Sequence, residues 1–168
     1  MLILGLDPGS LHAGYGLIDC SGGRSRTLVA GRWSAAAKLP VADRLRILAE
    51  GLEELLKHHR PDHAAVEKPF HGVNARSAIV LAEARGALLL TLARAGLRVE
   101  EYSPAEVKSA VTGSGRAEKQ QVARMVQLLL GMGKANVPAD ATDALAVALC
   151  SAQRQSLSRA AARVGAAK

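Results

Sequence analysis

The sequence predicts an α/β fold, a mixed five-stranded sheet with helices on both faces. Three observations predict it. Three apolar runs of strand length come first, joined by tight turns. Two more strand-like runs then alternate with segments of helical periodicity. The last third reads as helix alone. At 168 residues, the chain suits one domain with a sizeable core.

Leu2–Leu6, Ala13–Asp19 and Leu28–Trp33 read as an antiparallel meander, turning at Pro8-Gly9 and Ser21-Gly22-Gly23. Val41, Leu45, Leu48, Leu52 and Leu55 recur at helical spacing through a charged segment, which gives an amphipathic helix closed by Pro61-Asp62. His63–Glu67 is a short buried strand, and Lys68-Pro69-Phe70-His71-Gly72 a loop. Asn74 is placed to cap a helix reaching about Ala95, with Gly96 as its stop. Ile79, Val80, Leu81, Leu88, Leu89, Leu90 and Leu92 cover more than one face of it. One stripe serves the sheet, and the excess suits a second copy of the chain. Leu97–Tyr102 is the fifth strand.

Ser103-Pro104-Ala105-Glu106 combines an N-cap, a first-turn proline and a glutamate three residues on, so it opens a helix ending near Val111. A flexible Thr112–Arg116 loop follows. Ala117–Leu130 is helix again, and Pro138 opens a last helix from Ala139 to about Gln153. Residues 1–155 are expected to form one domain. Ser156–Lys168, rich in Ala, Arg and Ser without an apolar stripe, is expected to be a flexible basic tail.

Charge narrows the function. Met1–Ala42 carries four basic and two acidic residues, and Asp43–Glu118 eleven of each. Lys119–Lys168 carries seven basic residues and only Asp140 and Asp143 as acids. A basic surface points to a polyanionic partner, nucleic acid first. No apolar run reaches membrane length without charges, since Ala78–Ala95 contains Glu83, Arg85 and Arg94. No signal region is read at the start, so a cytoplasmic protein without a membrane partner is expected. Cys20 and Cys150 lack metal-ligand spacing and read as reduced thiols.

Four acids carry the chemistry. Asp7 ends the first strand and Glu67 the fourth. Asp140 and Asp143 open the last helix, three residues apart and on one face. Singly, Asp7 is a turn residue before Pro-Gly, and the helix pair compensates the helix dipole. Glu67 has no turn or capping role. Taken together, the four are what a site for two hard cations requires. Mg²⁺ (or Mn²⁺) takes oxygen ligands, and two such ions can hold the attacking and leaving oxygens of a phosphoryl transfer. No His or Cys cluster favours zinc.

Gly5-Leu6-Asp7-Pro8-Gly9-Ser10 with Gly14-Tyr15-Gly16, Val66-Glu67-Lys68-Pro69-Phe70, Ala117–Val122 and Ala139–Ala146 together resemble RuvC, the bacterial Holliday junction resolvase family, in order and spacing over about Leu2–Gln153. The resemblance implies a ribonuclease H-like fold, a homodimer, and symmetric metal-dependent nicking of four-way DNA junctions in recombination and repair. It implies a functional link to RuvA and RuvB. It puts Asp7, Glu67, Asp140 and Asp143 at the family's catalytic acid positions, and Lys108 and Lys119 at two basic positions important for cleavage. Phe70 matches an aromatic placed near the junction centre.

Read from the residues alone, each lysine is better taken as a solvated helix residue. Phe70 is equally a loop anchor. Arg76, near the start of the long helix, is within reach of a phosphate, as are other arginines. Two other readings compete. Asp-Pro-Gly-Ser after a strand also resembles the first phosphate loop of sugar-kinase or actin-like ATPases, but those need two such domains. A non-catalytic junction binder would make the four acids dispensable.

Overall fold

The computed structural model describes residues 1–68, 75–133 and 137–165. Its first three strands, β1 (Leu2–Asp7), β2 (His12–Ser21) and β3 (Arg24–Ser34), are longer than their apolar runs. The extra length of β3 begins with the exposed Arg24 and Arg26, which carry the strand past its apolar centre. Crossover helices α1 (Val41–His58) and α2 (Ala75–Arg94) lead to β4 (His63–Glu67) and β5 (Val99–Tyr102). The sheet order is β3-β2-β1-β4-β5. β1, β2 and β3 pair antiparallel, while β4 and β5 run parallel to β1. The chain ends in α3 (Pro104–Thr112), α4 (Lys119–Leu129) and α5 (Ala139–Gly165).

Strand alternation divides the interior into two cores. Leu4, Leu6, Leu17 and Val66 pack with Leu48, Leu52, Leu88 and Leu92 of α1 and α2. Ile3, Ile18 and Ala65 pack on the other face with Val107, Val126, Leu145 and Val147 of α3, α4 and α5. Trp33 belongs to the first core, its ring stacked on Tyr15 at 4.5 Å. On the α5 face, Gly5 and Gly14 replace side chains with space. A Cβ on Gly5 would lie 2.0 Å from the Ala144 carbonyl oxygen, and one on Gly14 1.9 Å from that of Asp140. α5 therefore rests directly on the sheet backbone.

The capping box at Ser103 forms as the motif predicts: Ser103 Oγ accepts from Glu106 N, and Glu106 Oε2 accepts from Ser103 N at 2.9 Å. The last helix departs from expectation. It does not stop near Gln153 but stays helical to Gly165. Nothing between Gln153 and Gly165 breaks a helix, and Ala, Arg, Leu and Gln favour one even without an apolar stripe. On the outer side of α2, Ile79 and Leu90 are 60% and 61% exposed. Among the described residues no helix is long and apolar enough to cross a membrane.

Candidate active site

Asp7 and Glu67 end neighbouring parallel strands, because the β1–β4 register pairs Leu6 with Val66. Alternation turns both carboxyls toward α5, since Ile3 and Ala65 on the same strands lie in the core beneath it. The first turn of α5 meets them with Asp140 and Asp143, held close by the contact over Gly14. Thus two strand ends and one helix start supply the four predicted acids to one place.

Cations stand around them. Lys119, the first residue of α4, donates from Nζ to Asp143 Oδ2 at 2.7 Å. A cleft of about 220 Å³ beside this pair is lined by Glu67, Lys108, Lys119 and Asp143 over a floor of Val107, Val122 and Ala146. Arg32 of β3 donates from Nη1 to Asp140 Oδ2 at 3.4 Å. Of the DNA-contact candidates, Lys108 lies in this cleft. Arg76 is exposed in the first turn of α2 and does not line it. Phe70, like the Asn74 cap, lies outside the described residues.

The electrostatics tie the four acids together. Asp7 is pushed from 3.8 up to about 7, first by burial and then by the charges of Asp143, Glu67 and Asp140, against the pull of Lys119. Glu67 is raised by burial and by Asp143, against Lys119 and Lys108. Lys119 is raised chiefly by its hydrogen bond to Asp143. A carboxyl so disfavoured as an anion is suited to a site where a cation supplies the missing charge. The donor set is oxygen only and carries up to four negative charges, which fits hard divalent ions. The side chains as they stand are not gathered for ligation. Among the described residues, no group of three acidic, histidine or cysteine side chains is arranged to hold an ion. Two of the four acids are engaged by cations of the protein itself, Asp143 by Lys119 and Asp140 by Arg32.

Arg32 was not visible as a site residue from the sequence. Its place depends on one irregularity. The β2–β3 pairing runs Ser21↔Arg24 to Ile18↔Thr27, then shifts by one residue between Leu17 and Ile18, so that Gly14 faces Arg32. Counting regularly from the Gly22-Gly23 turn pairs Gly14 with Gly31 and turns Arg32 to the opposite face. A one-residue bulge reverses that.

A mixed sheet of order 3-2-1-4-5, with acids at the ends of its two central parallel strands, is the ribonuclease H-like architecture, shared here with solved nucleases. The family model described as crossover junction endodeoxyribonuclease RuvC matches residues 3–151. The chain belongs to the RuvC family of crossover junction endodeoxyribonucleases. It is 47% identical over 152 residues to the RuvC of Heliobacterium modesticaldum, covering 90% of this chain and 94% of that protein. With the RuvC of Chlorobaculum parvum it is 46% identical, over 92% of this chain and 82% of the relative. The solved structure of Thermus thermophilus RuvC in complex with a Holliday junction substrate superposes with a TM-score of 0.89 at 33% identity, covering 94% of this chain and 96% of that one. The yeast mitochondrial Holliday junction resolvase shares the fold at a TM-score of 0.61 and 12% identity.

Proposed function

We propose that this nuclease resolves Holliday junctions in recombination and repair. It acts as a homodimer in which each protomer nicks one of two opposed strands. Asp7, Glu67, Asp140 and Asp143 are the ligands for two Mg²⁺ (or Mn²⁺) ions. The observation that carries this reading is geometric: two strand ends and the first turn of α5 bring four carboxylates together, and partial burial with their mutual charge pushes Asp7 up to about 7. Such an arrangement destabilises the fold and is accounted for by cation binding. When bound, the ions supply activation of water and stabilisation of charge at the leaving 3′ oxygen.

The protein's own groups do the rest. Asp7 and Glu67 are fixed on rigid strand ends, so the carboxylates that would hold the ions keep their spacing when DNA binds. Lys119 moves from Asp143 to a phosphate oxygen, and Lys108 across the same cleft neutralises a second. Phe70 stacks on a base near the junction centre, and Arg76 contacts a phosphate of a flanking arm. The dimer is supported by the outer side of α2, where the apolar Ile79 and Leu90 stand exposed. A two-fold dimer matches the pseudo-symmetry of a four-way junction, so paired nicks follow. The four-way substrate is supported by the junction complex of the Thermus relative. Family membership supports a functional link to RuvA and RuvB and a cytoplasmic location.

The test is Asp7→Asn on a synthetic four-way junction. The variant is expected to bind the junction with unchanged affinity and to lose at least about a thousandfold in cleavage. Retained cutting removes Asp7 from the site. Phe70→Ala is expected to bind but turn over poorly, and unchanged turnover restores the loop-anchor reading.

A further inference from the structure

Asp7, Gly14 and Arg32 form one row across β1, β2 and β3, since Asp7 pairs with Gly14 and Gly14 with Arg32. Directly paired residues point to one face, so Asp7 and Arg32 look the same way from strands about 10 Å apart. Gly14 between them carries no side chain. The first turn of α5 fills that gap, its Asp140 carbonyl lying where a Gly14 Cβ would stand. Asp140 thus has Asp7 on one side and Arg32 on the other. Arg32 takes hold of its Oδ2 at 3.4 Å. The pair is open to solvent, with side-chain exposures of 45% for Arg32 and 31% for Asp140, so the contact is exchangeable rather than locked.

We propose that Arg32 is an exchangeable counter-ion of the active site. It holds Asp140 while no divalent ion is bound, and it turns to a backbone phosphate of the junction once an ion claims that carboxylate. The inference rests on the reading of Asp140 as a metal ligand. The two halves of the role follow from charge. A guanidinium on Asp140 competes with a divalent cation for the same oxygen, so it weakens ion binding in the free protein. Once displaced, it remains a half-exposed cation on the rim of β3, beside the site, with a planar fork suited to phosphate. Lys119 makes the corresponding contact to Asp143 from α4, on the opposite side of the helix start. The first turn of α5 is therefore flanked by a cation on each side.

The test compares wild type, Arg32→Gln and Arg32→Lys in two assays that do not read cleavage. The first is Mn²⁺ binding without DNA, by calorimetry. Arg32→Gln is expected to bind Mn²⁺ two- to fivefold more tightly, roughly the value of a half-exposed ion pair, and Arg32→Lys to stay near wild type. The second is junction affinity against salt, in Ca²⁺ and in EDTA. In Ca²⁺, Arg32→Gln is expected to bind more weakly, with its salt slope smaller by about 0.9, one phosphate contact. In EDTA the difference is expected to vanish. Unchanged or weaker Mn²⁺ binding by Arg32→Gln overturns the proposal, as does an equal junction deficit in EDTA. If wild type itself binds no Mn²⁺, or Asp140→Asn binds it equally well, the ligand reading of Asp140 fails as well. That outcome is distinct from one in which wild type binds and Arg32→Gln binds no tighter.

Discussion

In the metal-free protein the Asp7 carboxyl titrates near neutrality, because burial and three neighbouring carboxylates disfavour its charge. The consequence for stability has a definite sign. The folded value, about 7, lies above the free value of 3.8, so the contribution is fully present below pH 3.8 and is lost as pH rises through about 7. Glu67 is shifted in the same direction. Asp7→Asn is therefore expected to stabilise the protein in EDTA by about 1–3 kcal/mol at pH 8, the gain shrinking as pH falls toward 5. Thermal unfolding across that range reads it, and no gain at pH 8 would contradict the account. Lys119→Ala is expected to lower kcat about a hundredfold while leaving the fold intact, since its Nζ is exposed and only its partner Asp143 is left unpaired. Single-turnover cleavage with saturating enzyme checks it. The four acids were legible in the sequence because each sits where a chemical argument applies: a strand end or a helix start. Arg32 was not, because its face depends on a bulge between Leu17 and Ile18 that no residue pattern announces.

At the scale of elements, the site is only as good as the seating of α5. Two glycines set that seating. Gly14→Ala places a methyl against the Asp140 carbonyl, and Gly5→Ala places one against that of Ala144. Both neighbours are backbone and cannot swing away. Each substitution is expected to cost about 3 kcal/mol and to lift Asp140 and Asp143 from the strand ends, with cleavage lost in proportion. A shift in the urea midpoint beside an activity assay measures both, and a neutral Gly14→Ala would show that α5 is not held by this contact. The helix starts were legible where capping chemistry is local, as at Ser103-Pro104-Ala105-Glu106. Strand ends were less so. β3 begins at Arg24 rather than Leu28 because exposed charged residues on an edge strand hide the alternation. The continuation of α5 to Gly165 was missed because an apolar stripe was expected of a helix whose described residues beyond Gln155 are exposed.

For the whole molecule, the outer side of α2 is the proposed contact between two copies. The sequence showed more apolar residues there than one core needs, and the structure leaves Ile79 and Leu90 exposed. Leu90→Glu is expected to weaken self-association at least about thirtyfold without lowering the unfolding midpoint of the monomer. Sedimentation velocity reads it; a dimer that survives the substitution uses another face. The same variant should cut one strand without prompt cutting of the other. The basic balance of the last third, seven cations against Asp140 and Asp143, is the long-range counterpart of the site, since it draws a polyanion toward the carboxylates that repel it. The most direct test of the central claim is a Mg²⁺ cleavage assay on a synthetic four-way junction beside a linear duplex of the same sequence, with both strands labelled. The account predicts two symmetrically placed nicks in opposed strands of the junction and little cutting of the duplex. Equal cutting of the duplex, or unpaired nicks from the wild-type protein, would contradict it.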